Sequence, residues 1–124
     1  MKNAAFRQRF LNAGKGVASA FKKERSLRLQ VLCAFALLAF SLFMQPSPLW
    51  CGLFIAMCSL VISLELLNSA VEALLDKAYP HFDATVGFVK DCLAGAVLLA
   101  SVGALLVFCC FIYSRYGLSF IPGL

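Results

Sequence analysis

The stretch ELLNSAVEALLD, from Glu65 to Asp76, decides how the rest of the sequence is interpreted. At about 100° per residue, its polar side chains fall within roughly 100° of one helical face, and apolar side chains cover the remainder. These polar residues are Glu65, Asn68, Ser69, Glu72 and Asp76. The preceding residues 52–64, GLFIAMCSLVISL, are apolar enough for a membrane span, so Glu65 is predicted to lie within the bilayer. A carboxylate at membrane depth costs about 3 kcal/mol or more, which indicates a function.

The composition of the 124-residue chain excludes a soluble globular fold. Its hydrophobic fraction is 62% and its charged fraction is 14%, so a soluble domain of this size would expose much apolar surface. The net charge of +5 is concentrated at the N-terminal end, where the first 28 residues hold eight of the 11 Lys and Arg residues. Such a basic end suits an anionic membrane surface better than nucleic acid. We therefore predict one membrane domain over residues 1–124 that binds no nucleic acid.

The apolar pattern predicts four helices, three of which cross the membrane. Residues 1–28 are predicted to form an amphipathic helix at the membrane surface, since apolar residues recur at spacings of three and four opposite basic ones. The membrane helices are predicted at residues 29–49, 51–76 and 91–113. Glu24 is the only acid of the N-terminal segment, and it is predicted to lie on the apolar side of the surface helix, where it needs a cation. The expected fold class is an all-α membrane protein.

The connections between the predicted membrane helices determine the orientation. Pro46 and Pro48 mark a tight turn, whereas residues 77–90 are predicted to form a polar connection broken at Pro80 and Gly87. Lys and Arg occur in the N-terminal segment and in this polar connection, and the opposite side carries a single Arg. The N-terminus and the polar connection are therefore predicted to be cytoplasmic, and the C-terminus is predicted to be outside.

The acidic residues of the chain all fall in the predicted cytosolic half, which suits phosphate chemistry at the membrane surface. Mg²⁺ is commonly held by one or two carboxylates together with substrate phosphates, and Glu24 and Glu72 can supply that pair. Lys90 and Asp91, at the mouth of the last membrane helix, can hold a polyphosphate and its metal. A structural alternative is that Asp91 only caps this helix and that Lys90 only enforces topology.

Glu65 is the candidate catalytic residue. It lies deeper than the other acids and can act as a general base for a lipid hydroxyl, while Asn68, one turn further along, can orient its carboxylate. The structural alternative is a buried hydrogen-bonding group without catalytic function. Among the loop residues, Asp83 has the alternative of a solvated side chain.

Three motifs carry a resemblance to a known family. They are ELLNSAVEALLD, the KDCLAGAVLLA of residues 90–100 and the AFKKERSLRLQ of residues 20–30. Together they resemble the small prokaryotic integral membrane diacylglycerol kinases, whose relatives include the undecaprenol kinases. The resemblance implies a homotrimer of three-span subunits with an N-terminal surface helix, in the bacterial inner membrane. It also implies transfer of the γ-phosphate of ATP to diacylglycerol, giving phosphatidate, with Mg²⁺ as the cofactor.

The resemblance also implies roles for individual residues. Glu65 corresponds to the catalytic base, which contacts the lipid substrate, and Asn68 corresponds to its polar partner. Glu24 and Glu72 correspond to the ligands of the metal and the nucleotide. Arg9 lies near the arginine of the family's N-terminal segment, which implies contact with the lipid substrate. Further nucleotide contacts are implied for His81, Phe82, Asp83, Lys90 and Asp91.

Three alternative functions remain open. The phosphate acceptor can be undecaprenol, because KERSLRLQ and AGAVLLA are reminiscent of the undecaprenol kinases. A small multidrug transporter also places one glutamate in a short apolar chain, but that class has four spans and lacks acidic partners on the cytosolic side. A non-catalytic membrane subunit is the third alternative.

Overall fold

A computed structural model describes residues 5–117, and over this range the chain is entirely helical apart from short connections. The helices are α1 (Phe6–Lys23), α2 (Arg25–Phe43), α3 (Pro48–Ala78) and α4 (Ala84–Ile112), which a π-helical turn at Tyr113–Gly117 continues. Three helices are long and apolar enough to cross a membrane, namely α2, α3 and the helix from Ala84 to Gly117. The predicted all-α class with three membrane helices is confirmed. Residues 1–4 of the predicted surface helix and the C-terminal residues 118–124 lie outside the described residues.

The helix predicted over residues 1–28 is divided at Glu24. This residue has an extended conformation, with φ −103° and ψ 113°, and it separates α1 from α2. The Arg28 guanidinium donates hydrogen bonds of 2.8 Å to the carbonyl oxygens of Phe21 and Lys22, acceptors that the end of α1 leaves without helical partners. The prediction that Glu24 lies on the apolar side of a continuous helix is therefore wrong. It lies half-buried at the junction of two helices.

The turn between α2 and α3 forms at the two prolines, as predicted. Gln45 has a φ of 52°, in the left-handed region that reverses the chain direction. Pro48 occupies the first turn of α3, where its fixed φ suits the helix and its missing N–H would have no helical partner. The Arg115 guanidinium donates a hydrogen bond of 3.3 Å to the Gln45 carbonyl oxygen, which ties the end of α4 to this turn.

The connection between α3 and α4 is much shorter than the predicted range of 77–90. Only residues 79–83 separate the two helices. Pro80 lies in this connection, as predicted, but Gly87 lies inside α4 and does not interrupt it. The cost of one glycine in a helix is about 1 kcal/mol, which the flanking turns of a 29-residue helix outweigh.

Asp83 is the N-cap of α4. Its carboxylate accepts a hydrogen bond of 3.0 Å from the backbone N–H of Val86, one of the donors that the start of a helix leaves unpaired. Asp91 lies about two turns inside α4, so the alternative that Asp91 caps this helix is wrong. Asp83 is exposed in the connection, as its alternative of a solvated side chain predicts, and it caps α4 in addition.

The core of the bundle lies at the end of the helices near the turn between α2 and α3. Phe54 and Phe111 are almost fully buried, and their ring centroids lie 5.2 Å apart in an edge-to-face contact between α3 and α4. Phe40 of α2 meets Phe108 of α4 at 5.9 Å. Helix α3 also packs against α1 and α2, so it is the central helix. The aromatic contacts hold three helices together at the end opposite the acidic half of α3.

We expect Asp83→Ala to lower the free energy of unfolding by about 1 kcal/mol, because the first turn of α4 loses its capping acceptor. Asp83→Asn should retain wild-type stability, since its amide oxygen accepts the same bond. Denaturation of the protein in detergent micelles, followed by circular dichroism, measures both variants. Equal destabilisation by Ala and Asn would contradict the capping role.

Candidate functional site

The polar face of α3 runs from a buried to an exposed environment. It consists of Glu65, Asn68, Ser69, Glu72 and Asp76. The first three are 4%, 9% and 6% exposed, respectively, Glu72 is half-buried, and Asp76 is exposed. From first to last the face spans about 16 Å, at 1.5 Å per residue. One helix therefore presents polar groups both inside the bundle and at its surface, as the spacing of these residues predicts.

Glu65, the deepest acid, has a hydrogen-bond partner that the sequence did not reveal. The Ser26 hydroxyl, in the first turn of α2, donates a hydrogen bond to Oε1 of Glu65. The bond joins residues 39 positions apart, so it fixes the start of α2 against the middle of α3. Ser26 follows Glu24 by two residues and lies in the AFKKERSLRLQ motif of residues 20–30, where a role was predicted for Glu24 but not for Ser26. A single serine forms no repeating pattern, so the spacing of residues in the sequence could not predict this contact with Glu65.

Asn68 has a buried carbonyl oxygen that lacks a partner within residues 5–117. Leaving such an acceptor unpaired costs about 1–3 kcal/mol, and buried amides are normally satisfied. Asn68 lies one turn from Glu65 on the same face. Its oxygen is therefore placed to accept a hydrogen bond from a bound molecule beside the Glu65 carboxylate.

Lys90 pairs with Asp76 and not with the neighbouring Asp91. Its ammonium lies 2.5 Å from Oδ1 of Asp76, so the pair joins the last turns of α3 to the start of α4. Lys90 lies before the apolar segment of α4, and the hydrogen bond with Asp76 raises the pKa of the Lys90 ammonium above its usual value. The negative charge of Glu72 acts in the same direction. The polar face thus ends beside the Lys90 ammonium, while Asp91 is exposed.

The other predicted site residues lie outside the polar face of α3. Glu24 is half-buried at the junction of α1 and α2, close in sequence to the partner of Glu65. Arg9 is exposed on α1. His81 and Phe82 lie exposed in the connection before α4, and Phe82 is 95% exposed. The structure therefore brings Ser26 to Glu65 and Lys90 to Asp76, and it leaves the connection residues open to a ligand.

The described residues contain no cluster of three or more His, Cys, Asp or Glu side chains that could hold a metal ion by themselves. Mg²⁺ usually binds through one or two carboxylates plus the phosphates of a substrate, so a two-carboxylate site is chemically sufficient only with a nucleotide present. Glu24 and Glu72 are both half-buried acids, one at the junction of α1 and α2 and the other on the polar face of α3. Two such carboxylates suit a Mg²⁺ ion that binds together with the phosphates of a nucleotide.

A cleft of about 270 Å³ lies between α2 and α4, with α3 as its floor. Its lining is mostly apolar and consists of Gln30, Cys33, Ala34, Leu37, Cys58, Val61, Ile62, Ser101, Ala104, Leu105 and Phe108. Gln30 lies one turn beyond Ser26 on α2, so this cleft begins close to the Glu65 carboxylate. Apolar surface and a buried acid thus adjoin each other inside the bundle.

Comparison with known proteins agrees with this architecture. The profile of the prokaryotic diacylglycerol kinase family matches residues 11–112. A diacylglycerol kinase of Escherichia coli strain K12 is 27% identical over 103 residues, which cover 83% of this chain and 84% of the relative. A diacylglycerol kinase of Haemophilus influenzae is 34% identical over 86 residues, or 69% and 73% of the two chains.

An undecaprenol kinase of Bacillus subtilis strain 168 is 30% identical over 98 residues, which cover 78% of this chain and 79% of the relative. The family match includes the junction at Glu24 and the whole of α3 and α4. It thus covers both hydrogen-bonded pairs of the site. The multidrug-transporter and non-catalytic alternatives have no support in these matches. The chain belongs to the prokaryotic diacylglycerol kinase family of lipid kinases.

Proposed function

We propose that this protein transfers the γ-phosphate of ATP to diacylglycerol and thereby produces phosphatidate in the inner membrane. The observation that carries the proposal is the change in exposure along the polar face of α3, from buried Glu65 to exposed Asp76. A lipid alcohol is dissolved in the membrane and ATP is dissolved in the cytosol. A catalyst that joins them needs polar groups at both depths.

Undecaprenol is the second candidate acceptor. The relative from Bacillus subtilis carries that name, and its 30% identity lies between those of the two diacylglycerol kinases compared above. Both alcohols present one hydroxyl attached to long apolar chains. The cleft between α2 and α4 suits either kind of chain, because its lining is mostly apolar.

In the proposed reaction, Glu65 is the general base. The lipid hydroxyl oxygen attacks the γ-phosphorus, the bond from this phosphorus to the β,γ-bridging oxygen breaks, and the hydroxyl proton passes to the Glu65 carboxylate. ADP leaves with the bridging oxygen. Asn68, one turn from Glu65 on the same face of α3, is proposed to orient the Glu65 carboxylate. Holding the reactants in line supplies much of the rate enhancement in phosphoryl transfer.

The nucleotide is proposed to bind at the exposed end of the polar face. Glu24 and Glu72 would hold Mg²⁺, which when bound neutralises charge on the phosphates. Lys90, kept in place by Asp76, offers a cation to the phosphates. The remaining contacts with ATP are proposed for His81, Phe82, Asp83 and Asp91, which border this end.

The assembly and the orientation are also proposals. The homotrimer is supported by the resemblance in sequence to a trimeric family. Helix α1 is proposed to lie on the cytosolic membrane surface, because none of its residues is buried and its last turn is basic. Arg9 on this helix is proposed to contact the lipid head. The N-terminus and the connection at residues 79–83 would then be cytoplasmic.

The decisive experiment offers the purified protein radiolabelled ATP and Mg²⁺ with diacylglycerol and undecaprenol in separate micelles. We expect labelled phosphatidate from diacylglycerol, and label in undecaprenyl phosphate alone would establish the second candidate. Glu65→Gln is the matched control, which should abolish turnover while ATP binding and the trimer mass measured in micelles stay intact. Absence of label from both lipids would refute the kinase function, and near-normal activity of Glu65→Gln would refute the base.

Magnesium titrations test the proposed metal ligands. We expect Glu24→Gln or Glu72→Gln to raise the Mg²⁺ concentration needed for half-maximal activity about tenfold or more, since each removes one carboxylate from the metal. Lys77→Gln is the control, because it removes a charge from α3 outside the polar face. A Glu72→Gln titration that superimposes on that of the wild type would remove Glu72 from the metal site.

Thiol labelling tests the orientation. A membrane-impermeant maleimide applied to intact cells should label Ser47→Cys, in the turn between α2 and α3, and should not label Asp83→Cys above the background of the unsubstituted protein. Both positions are exposed, so accessibility of the side chain does not separate them. Labelling of Asp83→Cys from outside would reverse the proposed topology.

A further inference from the structure

The hydrogen bond between Ser26 and Glu65 is not used in the reaction described above. We propose that Ser26 is a positioning residue, whose hydroxyl holds the Glu65 carboxylate in the orientation that accepts the proton of the lipid alcohol. This inference rests on the proposed function, since it assigns a task to Ser26 through Glu65. It concerns a residue for which the sequence motifs predict no role.

The geometry supports this assignment in three ways. The donor is a hydroxyl on α2 and the acceptor is Oε1 of a carboxylate on α3, so the bond crosses between two membrane helices. Glu65 is 4% exposed although Ser26 itself is exposed, and a hydrogen bond to a buried acceptor is stronger than the same bond in water. Serine hydroxyls near a helix start often bond to their own backbone, whereas this one reaches another helix.

A glutamate side chain has three rotatable bonds and loses much conformational freedom when it is fixed. Because Ser26 holds Oε1 before the substrate binds, the loss of conformational freedom of Glu65 does not add to the barrier of the catalytic step. The same bond directs the second oxygen, Oε2, to the substrate. General bases must lie within hydrogen-bond reach of the proton that they abstract, so a small rotation of the carboxylate reduces the rate.

The position of Ser26 gives the bond a second consequence. Ser26 lies two residues after Glu24, the proposed metal ligand, on the chain segment where α1 ends and α2 begins. The bond therefore connects Glu65, at the lipid end of the site, to Glu24, at the proposed nucleotide end, through the short backbone segment from Glu24 to Ser26. A change in the junction is transmitted to the orientation of Glu65.

Two matched variants isolate the hydroxyl. Ser26→Thr and Ser26→Val introduce side chains of nearly equal shape, and only Thr keeps the hydroxyl. We expect Ser26→Val to lower kcat about ten- to a hundredfold, the factor that corresponds to a lost hydrogen bond to a charged group, with the KM for ATP unchanged. Ser26→Thr should keep kcat within about threefold of the wild-type value. Each variant is assayed as the full chain in micelles, with its thermal midpoint and its oligomer mass.

Further variants keep the test decisive if Val disturbs folding. Ser26→Ala removes the hydroxyl without added bulk and should give the same fall in kcat. Ser41→Ala is the control on the same helix, because the Ser41 hydroxyl bonds at 2.7 Å to the Leu37 carbonyl of its own helix, and kcat should not change.

Equal kcat values for Ser26→Val and Ser26→Thr would overturn the positioning role. A parallel loss of kcat, ATP affinity and thermal midpoint in the Val and Ala variants would also overturn it, since that pattern marks a purely structural contact between helices. A wild-type protein without kinase activity would refute the proposed function itself. The two failures are therefore distinguishable.

Discussion

The constraint on which the structure depends is the burial of an acid among apolar helices. A carboxylate inside a membrane bundle needs a donor, because water is excluded and an unpaired charge is costly. The structure meets this need with a neutral hydroxyl from the start of α2 rather than with a cation. A neutral donor orients Glu65 without placing a second charge beside it. The aromatic contacts around Phe54 hold the bundle together at the other end, away from this acid.

The gradient of exposure along α3 follows from helix geometry alone. Residues spaced by three and four share a face, and an apolar run before that face sets its depth. For this reason the sequence was sufficient to predict the polar face, the three membrane helices and the depth of Glu65 relative to Asp76. No contact with another helix enters that argument.

The features that depend on contacts between helices were not predictable in the same way. Lys90 and Asp91 were predicted to act together on a polyphosphate because the two are adjacent in sequence. In a helix adjacent residues point about 100° apart, and Lys90 pairs with Asp76 on α3. Ser26 was missed because one serine produces no periodicity. The end of α1 was placed too late because the apolar pattern continues past Glu24, and only the backbone conformation reveals the break.

That break has a mechanical meaning. Two helices joined by a single extended residue can lie at very different angles. A further contact is needed if α1 is to keep a constant tilt relative to α2. Arg28 supplies this contact, because its guanidinium, in the first turn of α2, donates hydrogen bonds to carbonyl oxygens at the end of α1. One guanidinium thereby adds to the packing of α1 against α2 and α3, so the angle between the first two helices depends on a side chain that belongs to the second helix.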